Sequence, residues 1–153
     1  MTEVLIKTDG SCVNNGMEER DAIPGCAFIV TNVETGEAVA KIAFKPESDQ
    51  PFTENRCEAF AILGAVKWLK EHKDYIATFE SDSKTIVDGI VGLARRRANR
   101  DIWEQLESEI PKVADRILGF NLVRREENAE VDQLAKQAAL AICIFPDIIE
   151  DHS

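Results

Sequence analysis

Four acidic residues stand where a carboxylate is costly, at the end of a predicted strand or beside the apolar face of a predicted helix: Asp9, Glu58, Asp82 and Asp132. A carboxylate at such a position is unfavourable unless it is paired or bound to a metal ion. Hard divalent cations prefer oxygen ligands, and two such ions can activate a water molecule and stabilise the leaving oxygen of a phosphodiester. If the fold brings the four acids together, they indicate metal-assisted hydrolysis of a nucleic-acid backbone.

Asp9 and Asp82 are each predicted at the end of a strand. Residues 4–8 have the apolar, β-branched character of a strand and lead into Asp9-Gly10-Ser11, which is a turn signal. Residues 75–80 have the same character and lead into Ser81-Asp82-Ser83. Each acid also has an ordinary interpretation, Asp9 as a turn residue and Asp82 as the cap of the following helix.

Glu58 and Asp132 are predicted on helices. Glu58 precedes Ile62 by four residues and Val66 by eight, so it shares their buried face. Asp132 precedes Ala135 by three residues and therefore edges an apolar face. The ordinary interpretations are a helix-start acid that faces the helix dipole for Glu58 and a solvated surface acid for Asp132.

Hydrophobic periodicity places these acids on an α/β fold. The predicted strands are 4–8, 26–31, 38–44, 75–80 and 119–123, and the predicted helices are 53–69, 86–93, 101–117 and 128–142. Pro111 is expected to kink or end the third helix. The order βββαβααβα, whose first three strands are joined by short turns, predicts a five-stranded mixed sheet with helices packed on it. We expect one domain, residues 1–143, followed by an acidic tail, residues 144–153.

Composition restricts the class of protein. The chain has 153 residues and a net charge of −10, which predicts weak non-specific binding to nucleic acid and strong reliance on metal ions. It has no apolar run long enough to span a membrane and no signal-peptide pattern, so a membrane partner is not expected. Without a Cys-x-x-Cys pair, a zinc site is not expected either. All four cysteines are predicted to be free thiols, which is typical of a cytoplasmic protein: Cys12, Cys26, Cys57 and Cys143. We expect a monomer, and its protein partners are unknown.

Taken together, four short segments resemble the type 1 ribonuclease H family, and their order and spacing fit over Thr8 to about Ala139. The segments are Thr8-Asp9-Gly10-Ser11, Thr53-Glu54-Asn55-Arg56-Cys57-Glu58, Ser81-Asp82-Ser83 and Asn128-Ala129-Glu130-Val131-Asp132-Gln133-Leu134-Ala135. As a set they are far more specific than any one of them.

The resemblance implies a ribonuclease H-like fold and an endonuclease that cleaves the RNA strand of an RNA/DNA hybrid, leaving a 5′-phosphate. It implies that the catalytic residues, which also bind Mg²⁺ or Mn²⁺ as substitute, are Asp9, Glu58, Asp82 and Asp132. Two ions are expected when substrate is bound. The resemblance also implies nucleic-acid contacts at Asn15, Thr53, Asn55 and Ser83. Asn15 as a turn residue and Thr53 as an N-cap are equally good interpretations.

Three departures from the family pattern concern substrate handling. Many members have a histidine in the loop before the last helix, whereas residues 123–128 contain none, which predicts lower turnover. The long basic protrusion of many members is reduced here to a cluster with Arg100 nearby, and its phosphate contacts are predicted for Arg95, Arg96 and Arg97. A solvated helix end is the alternative for that cluster. Lys84, another predicted nucleic-acid contact, stands where the family often has glutamine.

Two other functions are compatible with the sequence. The missing histidine and short basic cluster leave room for a nuclease that acts on structured RNA or branched DNA. A catalytically inactive nucleic-acid-binding relative would keep the fold, although it would have no reason to keep four clustered carboxylates, whose repulsion is destabilising.

Overall fold

The predicted element order βββαβααβα is observed in the computed structural model, which describes residues 1–13, 22–92 and 98–141. The strands are β1 (Thr2–Val13), β2 (Ile23–Asn32), β3 (Ala38–Phe44), β4 (Tyr75–Ser81) and β5 (Ile117–Leu122). The helices are α1 (Glu54–Glu71), α2 (Lys84–Val91), α3 (Arg100–Val113) and α4 (Ala129–Leu140). The predicted fold class is confirmed.

The strands form one mixed sheet in the order β3-β2-β1-β4-β5. β1 to β3 pair antiparallel as a meander, whereas β4 pairs parallel with both β1 and β5. β1 is therefore the central strand, and Lys7 in its middle pairs with Glu80 near the carboxyl end of β4.

Helices cover both faces of this sheet. On one face, α1 packs with α3 over a large core that includes Ile6, Phe28 and Phe79. On the other face, α4 packs on β1 and β2 through small and branched residues, among them Ala27 and Ala135. Gly25 permits this close approach, because a Cβ there would lie 2.2 Å from the carbonyl oxygen of Ala135. The helices on both faces therefore pack on β1, which carries Asp9, and on its neighbour β2.

The first strand is longer than the sequence predicted, and the expected turn at Asp9-Gly10-Ser11 is wrong. These residues continue β1 and pair with Ala27, Cys26 and Gly25 of β2. Gly10 is needed for close packing, since a Cβ there would lie 2.2 Å from the carbonyl carbon of Cys57 in α1. The glycine that looked like a turn residue therefore lets a helix lie directly on the strand.

The third helix is shorter than predicted, because α3 ends at Val113 and is followed by a single 3₁₀ turn, Ala114–Arg116. The guanidinium of Arg116 is buried and donates hydrogen bonds of 2.9 to 3.1 Å to the carbonyl oxygens of Leu69, His72 and Tyr75. These bonds hold the turn after α3 against the end of α1. Ile117, which was predicted to end the third helix, is instead the first residue of β5.

The described cysteines, Cys12, Cys26 and Cys57, are free thiols as predicted, and Cys143 lies outside the described residues. The predicted tail, residues 144–153, also lies outside them. None of the helices in the described part of the chain has the length and apolar character needed to cross a bilayer.

Candidate active site

Three of the predicted acids meet where β1, β4 and α1 come together. Asp9 lies on β1, Asp82 follows the last residue of the adjacent parallel strand β4, and Glu58 lies in the second turn of α1. One carboxylate oxygen from each lies within 4.8 Å of the others. Asp9 is 1% exposed and Glu58 is 7% exposed. The sheet topology and the helix that crosses it therefore create a compact acidic cluster.

The start of α1 determines where Glu58 lies. Thr53 is the N-cap, and its hydroxyl accepts a hydrogen bond of 3.2 Å from the amide of Arg56. The helix then crosses β1 at Gly10, where a Cβ would lie 2.3 Å from the amide nitrogen of Glu58. The carboxylate of Glu58 is thereby held beside Asp9 rather than exposed as a simple helix-start acid.

Asp132 joins the cluster from the opposite face of the sheet. Its carboxylate accepts hydrogen bonds from Asp9 and from Lys136, whose Nζ lies 2.9 Å away. Asn128 precedes α4 and donates a hydrogen bond of 2.9 Å to the carbonyl oxygen of Thr8. Asp132 is partly exposed, so it forms the edge of the site whereas Asp9 forms its floor.

Burial and crowding strongly perturb the acids. Burial raises the pKa of Asp9 to about 11, and the neighbouring Glu58 charge adds to the increase. Burial also raises the pKa of Glu58 to about 8, against a hydrogen bond from Asp9 that favours its ionised form. For Asp132 partial burial is outweighed by the hydrogen bonds from Asp9 and Lys136, and its pKa is lowered. Without a cation, burial and the neighbouring acids therefore favour the protonated form of Asp9 at neutral pH.

The cluster has the donor set of a hard-cation site. Among the described residues, Asp9 Oδ2 and Glu58 Oε2 are buried and have no hydrogen-bond partner. Such atoms are costly unless something else satisfies them. Clustered carboxylate oxygens are the ligands that Mg²⁺ and Mn²⁺ prefer, so the residues present fit a divalent metal ion.

Three of the four predicted acids, Glu58, Asp82 and Asp132, line a cleft of about 300 Å³. Its lining consists of the acids themselves and short polar or basic side chains: Ser11, Glu54, Asn55, Glu58, Asp82, Ser83, Arg125, Asp132 and Lys136. Asn55 and Ser83, two predicted nucleic-acid contacts, are thus brought beside the acids. The ordinary interpretation of Asp82 as a helix cap is wrong, because the hydroxyl of Ser83 caps α2 by accepting from the amide of Ile86.

Sequence reasoning did not place several cleft residues at the site. Lys136 follows Asp132 by four residues, a helical spacing that brings the two side chains together and could have identified it. Arg125, one of the residues 123–128 that lack the family's histidine, lies 3.9 Å from Asp82. Glu54 accepts a hydrogen bond of 3.2 Å from the amide of Cys12, a contact between distant segments that no local pattern predicts.

Two of the other predicted nucleic-acid contacts, Thr53 and Lys84, do not line the acidic cleft. Thr53 caps α1, and Lys84 is exposed and paired with Asp88 one helical turn later. Asn15 lies outside the described residues, as do three of the predicted phosphate contacts, Arg95, Arg96 and Arg97. A contact between these side chains and nucleic acid stays a prediction.

Similarity to known proteins agrees with this architecture. The model of a family described as reverse transcriptase-like matches residues 8–138. No curated protein matches the chain significantly. The solved structure of LC11-RNase H1, isolated from compost by a metagenomic approach, is 19% identical, with a TM-score of 0.73 over 91% of this chain and 96% of that chain.

Two further structures are similar in the same way. LC11-RNase H1 in complex with an RNA/DNA hybrid is 20% identical, with a TM-score of 0.71 over 89% of this chain and 96% of that chain. RNase H1 from the halophilic archaeon Halobacterium salinarum is 16% identical, with a TM-score of 0.71 and the same coverage of 89% and 96%. The similarity establishes that this chain has the fold of these structures.

Proposed function

We propose, from the premise that the chain belongs to the reverse transcriptase-like family, that it is a divalent-metal-dependent endoribonuclease which hydrolyses the RNA strand of RNA/DNA hybrids. One observation carries the proposal: carboxylate oxygens of Asp9, Glu58 and Asp82 lie within 4.8 Å of one another, and Glu58 and Asp82 line an open polar cleft. Carboxylates this close repel one another when they are ionised, and a protein that bound no metal ion there would gain no stability from the cluster.

The metal ligands in this proposal are the predicted ones, Asp9, Glu58, Asp82 and Asp132. Divalent ions held there would supply an activated water and charge stabilisation of the leaving oxygen, as in other two-metal phosphodiesterases. Asp9 must lose its proton to act as a ligand, because metal ligands bind in the deprotonated form. Its hydrogen bond with Asp132 is then replaced, so that both carboxylates become available to the cation.

The remaining cleft residues are suited to hold a nucleic-acid backbone. Arg125 is largely exposed beside Asp82, and Lys136 is exposed beside Asp132, so both cations can reach a phosphate on the rim of the cleft. Asn55 and Ser83 present short hydrogen-bonding groups next to the acids. In the absence of a loop histidine, these side chains orient the substrate around the acids.

An RNA/DNA hybrid is the substrate that this arrangement favours. Short polar side chains can contact 2′-hydroxyl groups across a shallow minor groove, and this distinguishes RNA from DNA by chemistry rather than by sequence. A structure with the same fold is a complex with an RNA/DNA hybrid, which supports the same substrate class here. The open, polar form of the cleft agrees with an extended ligand rather than an enclosed small molecule.

The test is cleavage of an end-labelled RNA/DNA hybrid in Mg²⁺, in Mn²⁺ and in EDTA. Single-stranded RNA, duplex RNA, duplex DNA and branched DNA are assayed beside it. We expect metal-dependent cutting of the RNA strand of the hybrid, abolished by Asp9→Asn and retained by Asp74→Asn, which changes an exposed acid. Selective cutting of structured RNA or branched DNA would replace the hybrid as substrate. If no substrate is cut with either metal, the chain is an inactive relative.

The organisation of the chain completes the proposal. We propose a monomeric catalytic domain, residues 1–143, followed by the acidic segment 144–153. The free thiols of Cys12, Cys26 and Cys57 are typical of a reducing compartment such as the cytoplasm. Light scattering coupled to gel filtration measures the oligomeric state, and a mass near 17.1 kDa is the expected result.

A further inference from the structure

An apolar groove of about 310 Å³ lies between the second half of α1 and the edge of the sheet formed by β2 and β3. Its walls include Phe28, Ile42 and Phe44 from the strands and Trp68 from the helix. Two lysines and one acid, Lys45, Lys67 and Glu71, belong to its lining and are exposed. No residue that lines this groove also lines the acidic cleft. The groove is therefore a separate surface, apolar inside and with a net positive charge at its rim.

The chain leaves α4 beside the same groove. α4 ends at Leu140, and the carbonyl oxygen of Ala141 accepts a hydrogen bond of 3.0 Å from Lys45 Nζ. Lys45 follows β3, which is the edge strand of the sheet. The residues after Ala141 therefore start near Lys45, at the rim of the groove.

The sequence that follows matches the groove in both polarity and charge. Residues 142–149 read Ile-Cys-Ile-Phe-Pro-Asp-Ile-Ile, an apolar segment that would be unfavourable in water. The acids of the segment and its continuation are Asp147, Glu150 and Asp151, opposite in sign to Lys45 and Lys67. Because Pro146 has no amide hydrogen and interrupts a helix, an extended course is favoured over continuation of α4.

We propose that residues 142–149 dock in this groove, with their apolar side chains against Phe28, Phe44 and Trp68 and the following acids beside Lys67. The segment then closes the edge of the core that α1 and β3 leave open. The part of the segment that follows the catalytic domain then packs against that domain instead of remaining in solvent, and its docking does not require catalysis.

Alkylation of Cys143 in the full-length protein tests the proposal, because this thiol lies inside the docking segment. Iodoacetamide labelling under native conditions is followed at each cysteine by peptide mass spectrometry. We expect Cys143 in the wild type to react at least ~10-fold more slowly than in Phe145→Glu, since a docked thiol reacts only after local opening. Continued protection of the buried Cys26 and Cys57 shows that the fold itself is intact.

A matched pair of charge reversals tests the site of docking. Lys67→Glu places a negative charge at the groove, whereas Lys73→Glu makes the same change at an exposed lysine outside it. Faster labelling of Cys143 in Lys67→Glu alone supports docking in the groove. Equal labelling rates of Cys143 in the wild type, Phe145→Glu and both lysine variants would overturn the proposal. Protection that increases with protein concentration would also overturn it, in favour of a second copy of the chain as occupant.

Discussion

The side-chain amide of Asn128 donates a hydrogen bond of 2.9 Å to the carbonyl oxygen of Thr8, the residue that precedes Asp9. Asn128 is 1% exposed and immediately precedes α4, the helix that carries Asp132. This single bond therefore connects the strand of one proposed ligand to the helix of another. It explains how α4, on the opposite face of the sheet from α1, is held in register with the acidic cluster.

Asn128→Ala is expected to lower the stability of the protein by about 1 kcal/mol, because it removes the buried hydrogen bond to the carbonyl oxygen of Thr8. Asn121→Ala, at an exposed position of β5, is the control and should change little. Urea denaturation followed by circular dichroism measures both variants. If the two variants have the same unfolding midpoint, the Asn128 bond does not stabilise the junction.

Gly10→Ala is expected to destabilise the protein by about 3 kcal/mol or more, at the upper end of overpacking effects. The added Cβ would lie 2.2 Å from the carbonyl carbon of Cys57 and 2.3 Å from the amide nitrogen of Glu58. Since both neighbours are backbone atoms, the start of α1 must move, and Glu58 must move with it. Thermal unfolding and the affinity for Mg²⁺ should therefore both be impaired.

Gly119→Ala is the matched control, because the nearest atom to its added Cβ is Asn121 Oδ1 at 3.8 Å, an ordinary contact. Unfolding temperatures close to the wild type in both variants would show that α1 does not require the close approach at Gly10.

The same glycine shows where local sequence patterns succeed and fail. The element order, the β3 bounds and the N-cap Thr53 could be predicted, because they depend on periodicity and local hydrogen bonding. The continuation of β1 through Asp9-Gly10-Ser11 could not, because it depends on pairing with β2 and on the helix that lies above. Gly10, which locally signals a turn, is instead needed for the close packing of α1 on β1.

The candidate site was predictable to a similar degree. The acids at element ends and on inward faces stood out because burial makes a carboxylate expensive, and the structure brings Asp9, Glu58 and Asp82 together. The approach of Arg125 to Asp82 depends on the path of the chain between β5 and α4. Such contacts follow from tertiary arrangement and have no signature in a single segment.

Arg56 forms a partly buried ion pair with Asp101, and its loss should destabilise the protein. Its guanidinium, 2% exposed, donates to both carboxylate oxygens of Asp101 at 3.0 and 2.9 Å, which joins the start of α1 to the start of α3. Asp101→Asn removes the charge that pairs with the buried guanidinium. Because the Asp101 side chain is 34% exposed, solvent screens the pair in part, and we expect a loss of about 1–3 kcal/mol. Glu104→Gln, at an exposed acid of the same helix, is the control.

The effect of Asp101→Asn should depend on pH. The hydrogen bonds from Arg56 lower the pKa of Asp101, so the stability that this carboxylate contributes is present above its unfolded-state pKa and is lost as the pH falls through the lower folded-state value. Urea unfolding at pH 7 and at pH 3 should show a smaller difference from the wild type in acid. A difference that is constant with pH would mean that the variant acts through packing alone.

Asp9→Asn should stabilise the metal-free protein above neutral pH. Burial raises the pKa of Asp9 to about 11 and that of Glu58 to about 8, so the folded state binds more protons than the unfolded state. The stability due to these acids is therefore complete below about pH 4, the ordinary range of their unfolded-state pKa values, and is lost as the pH rises through the folded-state values. An asparagine amide can donate a hydrogen bond to Asp132 as the protonated Asp9 does. Because asparagine does not ionise, this variant does not lose stability through residue 9 as the pH rises.

Thermal unfolding in EDTA at pH 5, 7 and 9 measures this effect. Because ~1 kcal/mol shifts the Tm of a domain of this size by ~2–4 °C, we expect Asp9→Asn to exceed the wild type by at least ~3 °C at pH 9 and by less at pH 5. Asp74→Asn, at an exposed acid, should follow the wild type. Added Mg²⁺ should reverse the order, since a cation bound to the native state stabilises only the protein that keeps its ligand. A Tm for Asp9→Asn below that of the wild type, in EDTA at pH 9, would contradict the conclusion that ionisation of Asp9 destabilises the metal-free protein.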